Sequence, residues 1–267
     1  MKKLSTAELL FRSATQLSLN PVWITPLGVF EITVDGREHY IDLAHSPLNA
    51  DIGVALAKNK YVTRRIFERH KLQNIPFMLP LNQNNAKDFL KLHKKIIAKP
   101  VNGAGAKDIH IISEQFQLDL LEIDRYILEK YIAGKELRYL FLNGRIVGVH
   151  RSEYGVSVMA NRPLRRISYS PETWDPILLE SSINIARILH LNFAAIDYLI
   201  DDSGKAFILE VNTMPGFKWF HAPSFGPVVN IANLFMQSVI DSIRTEKTVL
   251  KHPFVSDFKT VNIGIVI

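Results

Sequence analysis

The stretch AAIDYLIDDSGKAFILEVNTMPGF, residues 194–217, decides the fold. It contains two mostly apolar runs, 194–200 and 206–212, which predict two β-strands. Between them lies the sequence DDSG, residues 201–204, which is typical of a tight turn. The second strand is therefore expected to fold back antiparallel on the first.

The polar side chains of this hairpin are expected to lie on one face. In a hairpin centred near residue 203 or 204, Asp197 lies opposite roughly residues 208 to 210. Side chains alternate between the two faces of a strand, so Glu210 and Asn212 share a face. Directly opposed residues point the same way, and Asp197 is therefore predicted to join them.

Three oxygen donors beside apolar neighbours are costly unless a cation is bound between them. Asp197, Glu210 and Asn212 include neither Cys nor His, and oxygen ligands alone favour a hard ion such as Mg²⁺ that bridges phosphate oxygens. These three residues are the predicted metal ligands. A solvated face of an edge hairpin is the alternative that the sequence leaves open.

A second chemical signal is the segment KPVNGAGAKDI, residues 99–109. Lys99 leaves a short predicted strand, and Gly103, Gly105 and Ala106 are small enough for the backbone to fold over phosphate groups with its N–H groups as donors. The segment is not a Walker A loop, because no Gly-Lys-Ser/Thr follows and no helix begins there. An ordinary hairpin loop is the alternative.

The remaining elements follow from periodicity and from turn residues. A capping box at residues 5–8 predicts a first helix, and short strands follow up to about residue 43. Further helices are predicted at 50–70, 85–95, 114–121, 176–189 and 227–243, and further strands at 96–98, 126–131, 138–142 and 145–150. An Asn143-Gly144 turn joins the last two strands. This order indicates an α+β fold.

Composition excludes several classes of protein. An apolar fraction of 47% and a charged fraction of 22% in 267 residues argue against disorder, collagen-like sequence and a coiled coil. No apolar run approaches the roughly 20 residues that a membrane-spanning helix needs, and the start does not resemble a signal peptide. The lack of cysteine excludes thiolate chemistry and favours a reducing, cytoplasmic location. The net charge of +6 is spread over short clusters, which argues against a nucleic-acid partner.

Five motifs in order resemble those of the ATP-grasp ligases. They are NKYVTRRIFERH, IIAKPVNGAGAKDI, YILEKYIAGKELR, the hairpin stretch and HAPSFG. Over about residues 50–243 the chain is most similar to the ATP-grasp parts of cyanophycin synthetase and of the fused glutamate-cysteine ligase/glutathione synthetase. The resemblance implies an α+β ATP-grasp fold, in which two lobes clamp ATP. It divides the chain into a short, truncated pre-ATP-grasp region (1–48), an ATP-grasp domain (49–245) and a tail (246–267), with lobes at 49–130 and 131–245.

The resemblance also implies roles for residues that bind the nucleotide. Lys60 and Lys99 match the lysines that hold α- and β-phosphates, and Glu136 matches the carboxylate that binds the ribose. The hinge whose backbone reads adenine corresponds to Glu129, Lys130 and Ile132. The cofactors implied are ATP and two magnesium ions, with Mn²⁺ as a substitute, held by Asp197, Glu210 and Asn212.

The phosphate loop departs from the family pattern at two positions. Ala106 and Asp108 stand where the family has its third and fourth glycines. Asp108 would add a negative charge near the triphosphate unless it points away or pairs with Lys107. Weaker loop closure is therefore expected.

The resemblance also implies catalytic and substrate-binding residues, but it defines their roles less closely. Arg151 matches a position that faces the transferring phosphoryl group, and Arg138, expected on the same face as Glu136, is predicted to act with Asn212 on phosphate or substrate. A surface arginine is the alternative at both positions. The residues expected to contact substrate are Asn161, Arg162, Arg165, His221 and Ser224.

The function implied is an ATP- and Mg²⁺-dependent ligase that joins the carboxylate of an amino acid or peptide to an amine through an acyl phosphate. An ATP-grasp phosphotransferase and a non-catalytic nucleotide-binding regulatory or scaffold protein are the alternatives. The partners expected are small-molecule or peptide carboxylates and amines, with no membrane and no nucleic acid, and a homodimer is left open.

Overall fold

The computed structural model describes residues 4–26, 28–42, 47–103, 108–153 and 165–249. Within these ranges the helices are α1 (Thr6–Gln16), α2 (Asp51–Lys58), α3 (Lys60–Arg69), α4 (Gln83–His93), α5 (Gln115–Asp119), α6 (Pro176–Ile188), α7 (Lys218–His221) and α8 (Ile231–Val249). The strands are β1 (Val22–Trp23), β2 (Phe30–Val34), β3 (Arg37–Ile41), β4 (Phe77–Met78), β5 (Ile96–Pro100), β6 (His110–Ile112), β7 (Tyr126–Lys130), β8 (Lys135–Leu142), β9 (Arg145–Glu153), β10 (Arg165–Tyr169), β11 (Phe193–Ile200) and β12 (Ala206–Asn212).

The strands form three antiparallel sheets. The N-terminal sheet has the order β1-β2-β3, the small sheet has the order β4-β7-β5-β6, and the large sheet has the order β10-β9-β8-β11-β12. Helices and antiparallel sheets share one chain, which confirms the α+β class. None of the helices in the described residues has the length and apolar character needed to span a membrane.

The first forty residues pack on the large sheet. The capping box forms as predicted, since the backbone N–H of Glu8 donates to Ser5 Oγ at 3.2 Å and that of Ser5 donates to Glu8 Oε2 at 2.6 Å. Leu10 of α1 and Phe30 of β2 then enter one core with Leu140 of β8 and Phe235 of α8. The N-terminal sheet and α8 therefore cover one face of the large sheet.

Two further cores complete the molecule. The opposite face of the large sheet packs on α6 and α3, through residues such as Tyr139, Ile196, Ile185 and Phe67. The small sheet packs on α4 and α5 with a core of its own. The polar part of the large sheet lies outside all three cores.

The helix predicted over residues 50–70 is two helices. Asn59 breaks it with an extended backbone, because it pairs with Asn102 and its side chain accepts from the N–H of Val62 as the cap of α3. A capping side chain satisfies a free N–H at the start of a helix, so the break costs little. As a result Lys60 stands at the first turn of α3, beside the phosphate loop.

Candidate functional site

A β-bulge gives the β11–β12 hairpin its register. Tyr198 pairs with Ile208, but Asp197 pairs with Glu210, so Leu209 is an extra residue in β12. Ala195 pairs with Asn212. Glu210 and Asn212 therefore lie on the same face as Asp197, as the hairpin geometry predicts.

This face continues as a row of polar residues across the large sheet. Asp197 opposes Arg138 in β8, Arg138 opposes His150 in β9, and His150 opposes Ser168 in β10. Glu210 ends the row in β12. A row of five polar side chains on one sheet face is expensive to bury without partners or a ligand, so this row marks the candidate site.

Arg138 and Asp197 form its central ion pair. The guanidinium donates from Nε to Oδ1 at 2.6 Å and from Nη2 to Oδ2 at 2.5 Å, and Asp197 is only 1% exposed. Burial alone would lower the pKa of Arg138, but the charge of Asp197 and these hydrogen bonds outweigh it and raise that pKa. Asp197 is therefore held in a fixed orientation by two hydrogen bonds, and Nη1 of Arg138 makes no hydrogen bond among the described residues.

The predicted metal ligands fit a hard divalent cation. Glu210 stays accessible to solvent at the end of β12, yet crowding by protein atoms and the nearby carboxylate of Asp197 raise its pKa. A cation between the two carboxylates would relieve that repulsion. Asn212 Oδ1 accepts from the N–H of Met214 at 2.9 Å, which orients it and leaves a lone pair. Within the described ranges, no cluster of three His, Cys, Asp or Glu side chains could hold a metal ion. A cation beside Asp197 and Glu210 would therefore also need Asn212 and oxygen atoms of a bound substrate as ligands.

The start of α3 and the start of the phosphate loop are joined. The N–H of Lys60 donates to the carbonyl of Val101 at 2.9 Å, and its Nζ donates to the carbonyl of Gly103 at 2.9 Å. Burial is the largest influence on Lys60 and lowers its pKa, which Glu210 partly offsets. Lys60 is therefore close enough to Glu210, a predicted metal ligand, for the two charges to interact.

Lys99 belongs to a buried cluster of three charges. Its Nζ lies 2.7 Å from Glu129 Oε2, and Arg64 Nε donates to Glu129 Oε1 at 2.7 Å. The three residues are at most 7% exposed. Burial alone would raise the pKa of Glu129, but the charges of Arg64 and Lys99 outweigh it and bring that pKa down to about 2. One carboxylate therefore balances two cations and leaves a net positive charge.

The two lysines and the predicted metal ligand meet at one small cavity. It has a volume of about 20 Å³, room for a single water molecule, and Lys60, Lys99, Glu129 and Glu210 all line it. Lys99 of the small sheet and Lys60 of α3, the predicted phosphate ligands, thus lie beside the carboxylate of Glu210 at the edge of the large sheet.

Asp108 points away from this cavity. Its Oδ2 accepts from the hydroxyl of Tyr126 at 2.7 Å, and its Oδ1 lies 2.7 Å from His110 Nε2. Its φ of 56° is in the left-handed region, which glycine adopts more readily than other residues. The hydrogen bond from Tyr126, together with that from His110, lowers the pKa of Asp108, so its charge is held outside the loop. Gly105 and Ala106 lie outside the described residues.

The predicted hinge runs from the end of β7 in the small sheet towards β8 in the large sheet. The N–H of Lys130 donates to the carbonyl of Pro76 at 2.9 Å, and Lys130 and Ile132 line a cleft of about 480 Å³ together with Phe207. That volume is sufficient for a purine base. Glu136 opposes Ser152 and Leu199 on the face of the polar row. The adenine and ribose roles stay predictions.

Arg151 is placed on the other face of the large sheet. Val147 is an extra residue in β9, because Phe141 pairs with Ile146 but Leu140 pairs with Gly148. A regular hairpin would set Arg151 beside Glu136, whereas the slip of one residue turns every side chain beyond the bulge to the opposite face. Arg151 pairs with Glu153 at 2.5 Å and is not brought to Asp197.

The predicted substrate residues have several placements. His221 Nε2 accepts from the N–H of Ala232 at 3.1 Å, so it caps the first turn of α8. Ser224 Oγ accepts from the N–H of Arg166 at the edge of β10. Arg165 is exposed and lies over the ring of Phe225. Asn161 and Arg162 lie outside the described residues, and the substrate roles stay predictions.

Two residues of the site were missed in the sequence, Arg64 and His150. Arg64 follows Lys60 by four positions and thus shares its helix face, which is a usable signal. The bulge turns His150, and not Arg151, to the face of the polar row, where His150 lies opposite Arg138. Its Nε2 lies 3.0 Å from Nη1 of Arg166. A guanidinium can only donate, so His150 carries its hydrogen on Nδ1. Burial, followed by the charges of Arg138 and Arg166, lowers the pKa of His150 well below its ordinary value and keeps it neutral.

Comparison with known proteins shows what this chain is similar to. A family model described as an ATP-grasp domain matches residues 57–161. The D-alanine–D-alanine ligase of Aquifex aeolicus (strain VF5) is 25% identical over 202 residues, which are 69% of this chain and 67% of that protein. A bifunctional glutathione synthetase from Pasteurella multocida superposes with a TM-score of 0.66 at 11% identity, over 89% of this chain and 44% of that one. The D-alanine–D-alanine ligase from Bacillus anthracis, solved with ATP, gives a TM-score of 0.58 at 17% identity, over 75% of this chain and 71% of that one.

The sequence matches cover only part of each relative. The chain spans 50 to 67% of the length of the D-alanine–D-alanine ligases that it matches in sequence. The matched range 57–161 contains Lys60, Lys99 and the hinge, and the structural likeness confirms the α+β ATP-grasp fold. The chain therefore has the fold of the ATP-grasp ligases, and its residues 57–161 are similar to the ATP-grasp domain.

Proposed function

We propose that this protein is an ATP- and Mg²⁺-dependent carboxylate–amine ligase that forms an amide bond through an acyl phosphate. The observation that carries the proposal is the convergence of Lys60 and Lys99 with Glu210 on one cavity, with Asp197 directly opposite Glu210. The similarity to D-alanine–D-alanine ligases supports an amino acid or a peptide as the substrate class. A cytoplasmic location, where ATP is supplied, is part of the same proposal.

The reaction consists of two transfers. A carboxylate oxygen of the first substrate attacks the γ-phosphorus of ATP, and the bond from that phosphorus to the bridging oxygen breaks, which gives an acyl phosphate and ADP. The amine nitrogen of the second substrate then attacks the acyl carbon. The carbon–oxygen bond to phosphate breaks, an amide forms, and the amine gives up one proton to solvent.

The residues of the chain supply charge and position. Lys60 and Lys99 hold the phosphate tail, and the net positive charge of the Lys99 cluster suits a polyanion. Arg138 orients Asp197, and its Nη1 can meet a phosphoryl or carboxylate oxygen. Mg²⁺, held by Asp197, Glu210 and Asn212, would neutralise charge on the phosphates when bound.

A substrate screen with hydroxylamine tests the proposal. The protein is incubated with ATP, Mg²⁺, hydroxylamine and pools of amino acids or dipeptides, and phosphate and hydroxamate are measured. A ligase releases phosphate and forms a hydroxamate only when its carboxylate substrate is present. The matched control is Glu210→Ala, in which turnover is expected to vanish.

The outcomes separate the alternatives. Phosphate transfer to a substrate with no hydroxamate would replace the ligase by a phosphotransferase. Nucleotide binding with no turnover stimulated by any pool would replace it by a regulatory or scaffold protein. The orientation of Asp108 away from the cavity removes one reason to expect a weakened phosphate loop, and therefore favours the enzyme.

A further inference from the structure

The position of Glu210 depends on a single extra residue. If the pairing of Tyr198 with Ile208 continued regularly, Asp197 would oppose Leu209, and Glu210 would lie on the opposite face. The bulge at Leu209 restores Glu210 to the face of Asp197. Bulges disrupt the ladder of hydrogen bonds locally, so this one needs something to hold it.

Arg64 fills the disrupted part of the ladder. Its Nη1 donates to the carbonyl of Ile208 at 2.6 Å, and its Nη2 donates to the carbonyl of Leu209 at 2.8 Å. Consecutive carbonyls of a regular strand point in opposite directions, whereas here both reach one guanidinium. Arg64 is 3% exposed, and Asn74 Oδ1 accepts from Nη1 at 2.9 Å. The bulge is therefore bound by a buried, forked donor.

The same guanidinium is tied to the phosphate side of the site. Arg64 Nε donates to Glu129, whose other oxygen lies 2.7 Å from Lys99 Nζ. The chain of contacts runs from the bulge beside Glu210, through Arg64 and Glu129, to Lys99. It joins the large sheet to the small sheet.

We propose that Arg64 is a positioning residue that holds the Leu209 bulge, keeps Glu210 opposite Asp197, and fixes the place of Lys99 relative to Glu210. The proposal rests on the proposed function, since it takes Glu210 as a metal ligand and Lys99 as a phosphate ligand. Lysine cannot replace Arg64, because a single ammonium group does not reach two carbonyls and a carboxylate in the geometry of the fork.

The test is metal-dependent nucleotide binding, which needs no turnover. Binding of a non-hydrolysable ATP analogue, AMP-PNP, is measured by calorimetry with Mg²⁺ and with EDTA, in wild type and in Arg64→Lys. We expect Arg64→Lys to weaken binding of the Mg²⁺ complex by about 10- to 100-fold, as for residues that orient metal ligands, and to change metal-free binding much less. The matched control is Arg65→Lys, because Arg65 is the neighbouring arginine and forms an exposed pair with Glu68. It should bind as wild type does.

A second variant covers the case in which Arg64→Lys does not fold. Asn74→Ala removes the acceptor of Arg64 Nη1 and the side-chain donor to the Arg64 carbonyl, so the guanidinium loses one hydrogen bond while the buried charges stay paired. It should weaken binding of the Mg²⁺ complex by about 3- to 10-fold, the equivalent of one hydrogen bond. Unchanged binding of the Mg²⁺ complex in folded Arg64→Lys, or in Asn74→Ala, would overturn the proposal. Binding without hydroxamate formation would overturn the ligase alone, and a wild type that binds no nucleotide would refute the site on which both proposals rest.

Discussion

Replacing Glu129 by glutamine removes the carboxylate that contacts both Arg64 and Lys99. Glu129 is 1% exposed, and its ordinary pKa of 4.5 falls to about 2 in the folded protein. That difference corresponds to about 3 kcal/mol of folding stability at pH 7. Glu129→Gln, which has nearly the same shape, should therefore lower the free energy of unfolding by about 3 kcal/mol, within the range known for breaking a buried ion pair.

The effect has a defined dependence on pH. Because the folded pKa of Glu129 lies below the unfolded value, its contribution is complete above about pH 5 and is lost as pH falls from 4.5 towards 2. The difference between wild type and Glu129→Gln should therefore shrink from about 3 kcal/mol at pH 7 to about 1.4 kcal/mol at pH 3. A loss due only to altered packing would not change with pH.

Urea unfolding followed by circular dichroism at pH 7, 5 and 3 measures both quantities. The control is Glu68→Gln, which breaks the exposed Arg65–Glu68 pair and should cost no more than about 1 kcal/mol at any of these pH values. A loss below about 1 kcal/mol at pH 7 in Glu129→Gln, or an equal loss at pH 7 and pH 3, would refute the reasoning.

Three further predictions concern other parts of the molecule. Gly226→Ala should lower the free energy of unfolding by at least about 2 kcal/mol in urea, because its φ is +89° and an added Cβ would lie 1.9 Å from the carbonyl oxygen of Ser168. Glu210→Ala should reduce ATP turnover below about a tenth of the wild-type rate in a phosphate-release assay, since it removes a charge that faces the cation. Asp108→Ala should lower the thermal unfolding midpoint more than Asp108→Gly does, because glycine tolerates a φ of 56° and alanine does not.

Local signals in the sequence predict local structure well. The capping box at Ser5 and Glu8 forms, and the turn at Asn143 and Gly144 has both residues at positive φ, as such a hairpin turn needs. The turn after Asp201 reverses the chain as expected. Each of these outcomes depends on residues within a few positions of one another, so the sequence contains the whole cause.

The positions of β-bulges are harder to predict from the sequence. Gly148, next to Val147, is a weak signal of a bulge, whereas nothing in the residues around Leu209 distinguishes an extra residue from a regular one. Each bulge nevertheless decides which side chains share the polar face. The bulge at Val147 places His150 rather than Arg151 on that face. A side-chain period of two makes every functional assignment beyond a bulge depend on a count that the sequence does not reveal.

Buried charges are hidden for a related reason. Arg64 meets Glu129, which is 65 residues away in the chain, and the carbonyl of Ile208, which is 144 residues away. An arginine on an amphipathic helix is usually solvent-exposed, so its own position gives little reason to expect burial. Arg64 belongs to the motif NKYVTRRIFERH, which predicts a role for Lys60 but none for Arg64. The partners of Arg64 come close to it only when α3, β7 and β12 pack together.

The arrangement of the bulges also explains how the polar row is built. The central pair of strands, β8 and β11, stays in regular register from Lys135 opposite Ile200 to Leu142 opposite Phe193, so the Arg138–Asp197 pair is fixed by uninterrupted pairing. Each strand that flanks this pair contains one bulge, which sets the residue beside it, His150 in β9 and Glu210 in β12. The centre of the site is therefore as rigid as the sheet, while its two ends depend on local features. Of those two ends, the bulge beside the predicted metal ligand is the one bound by a buried guanidinium, and a loss of register there would turn Glu210 away from Asp197.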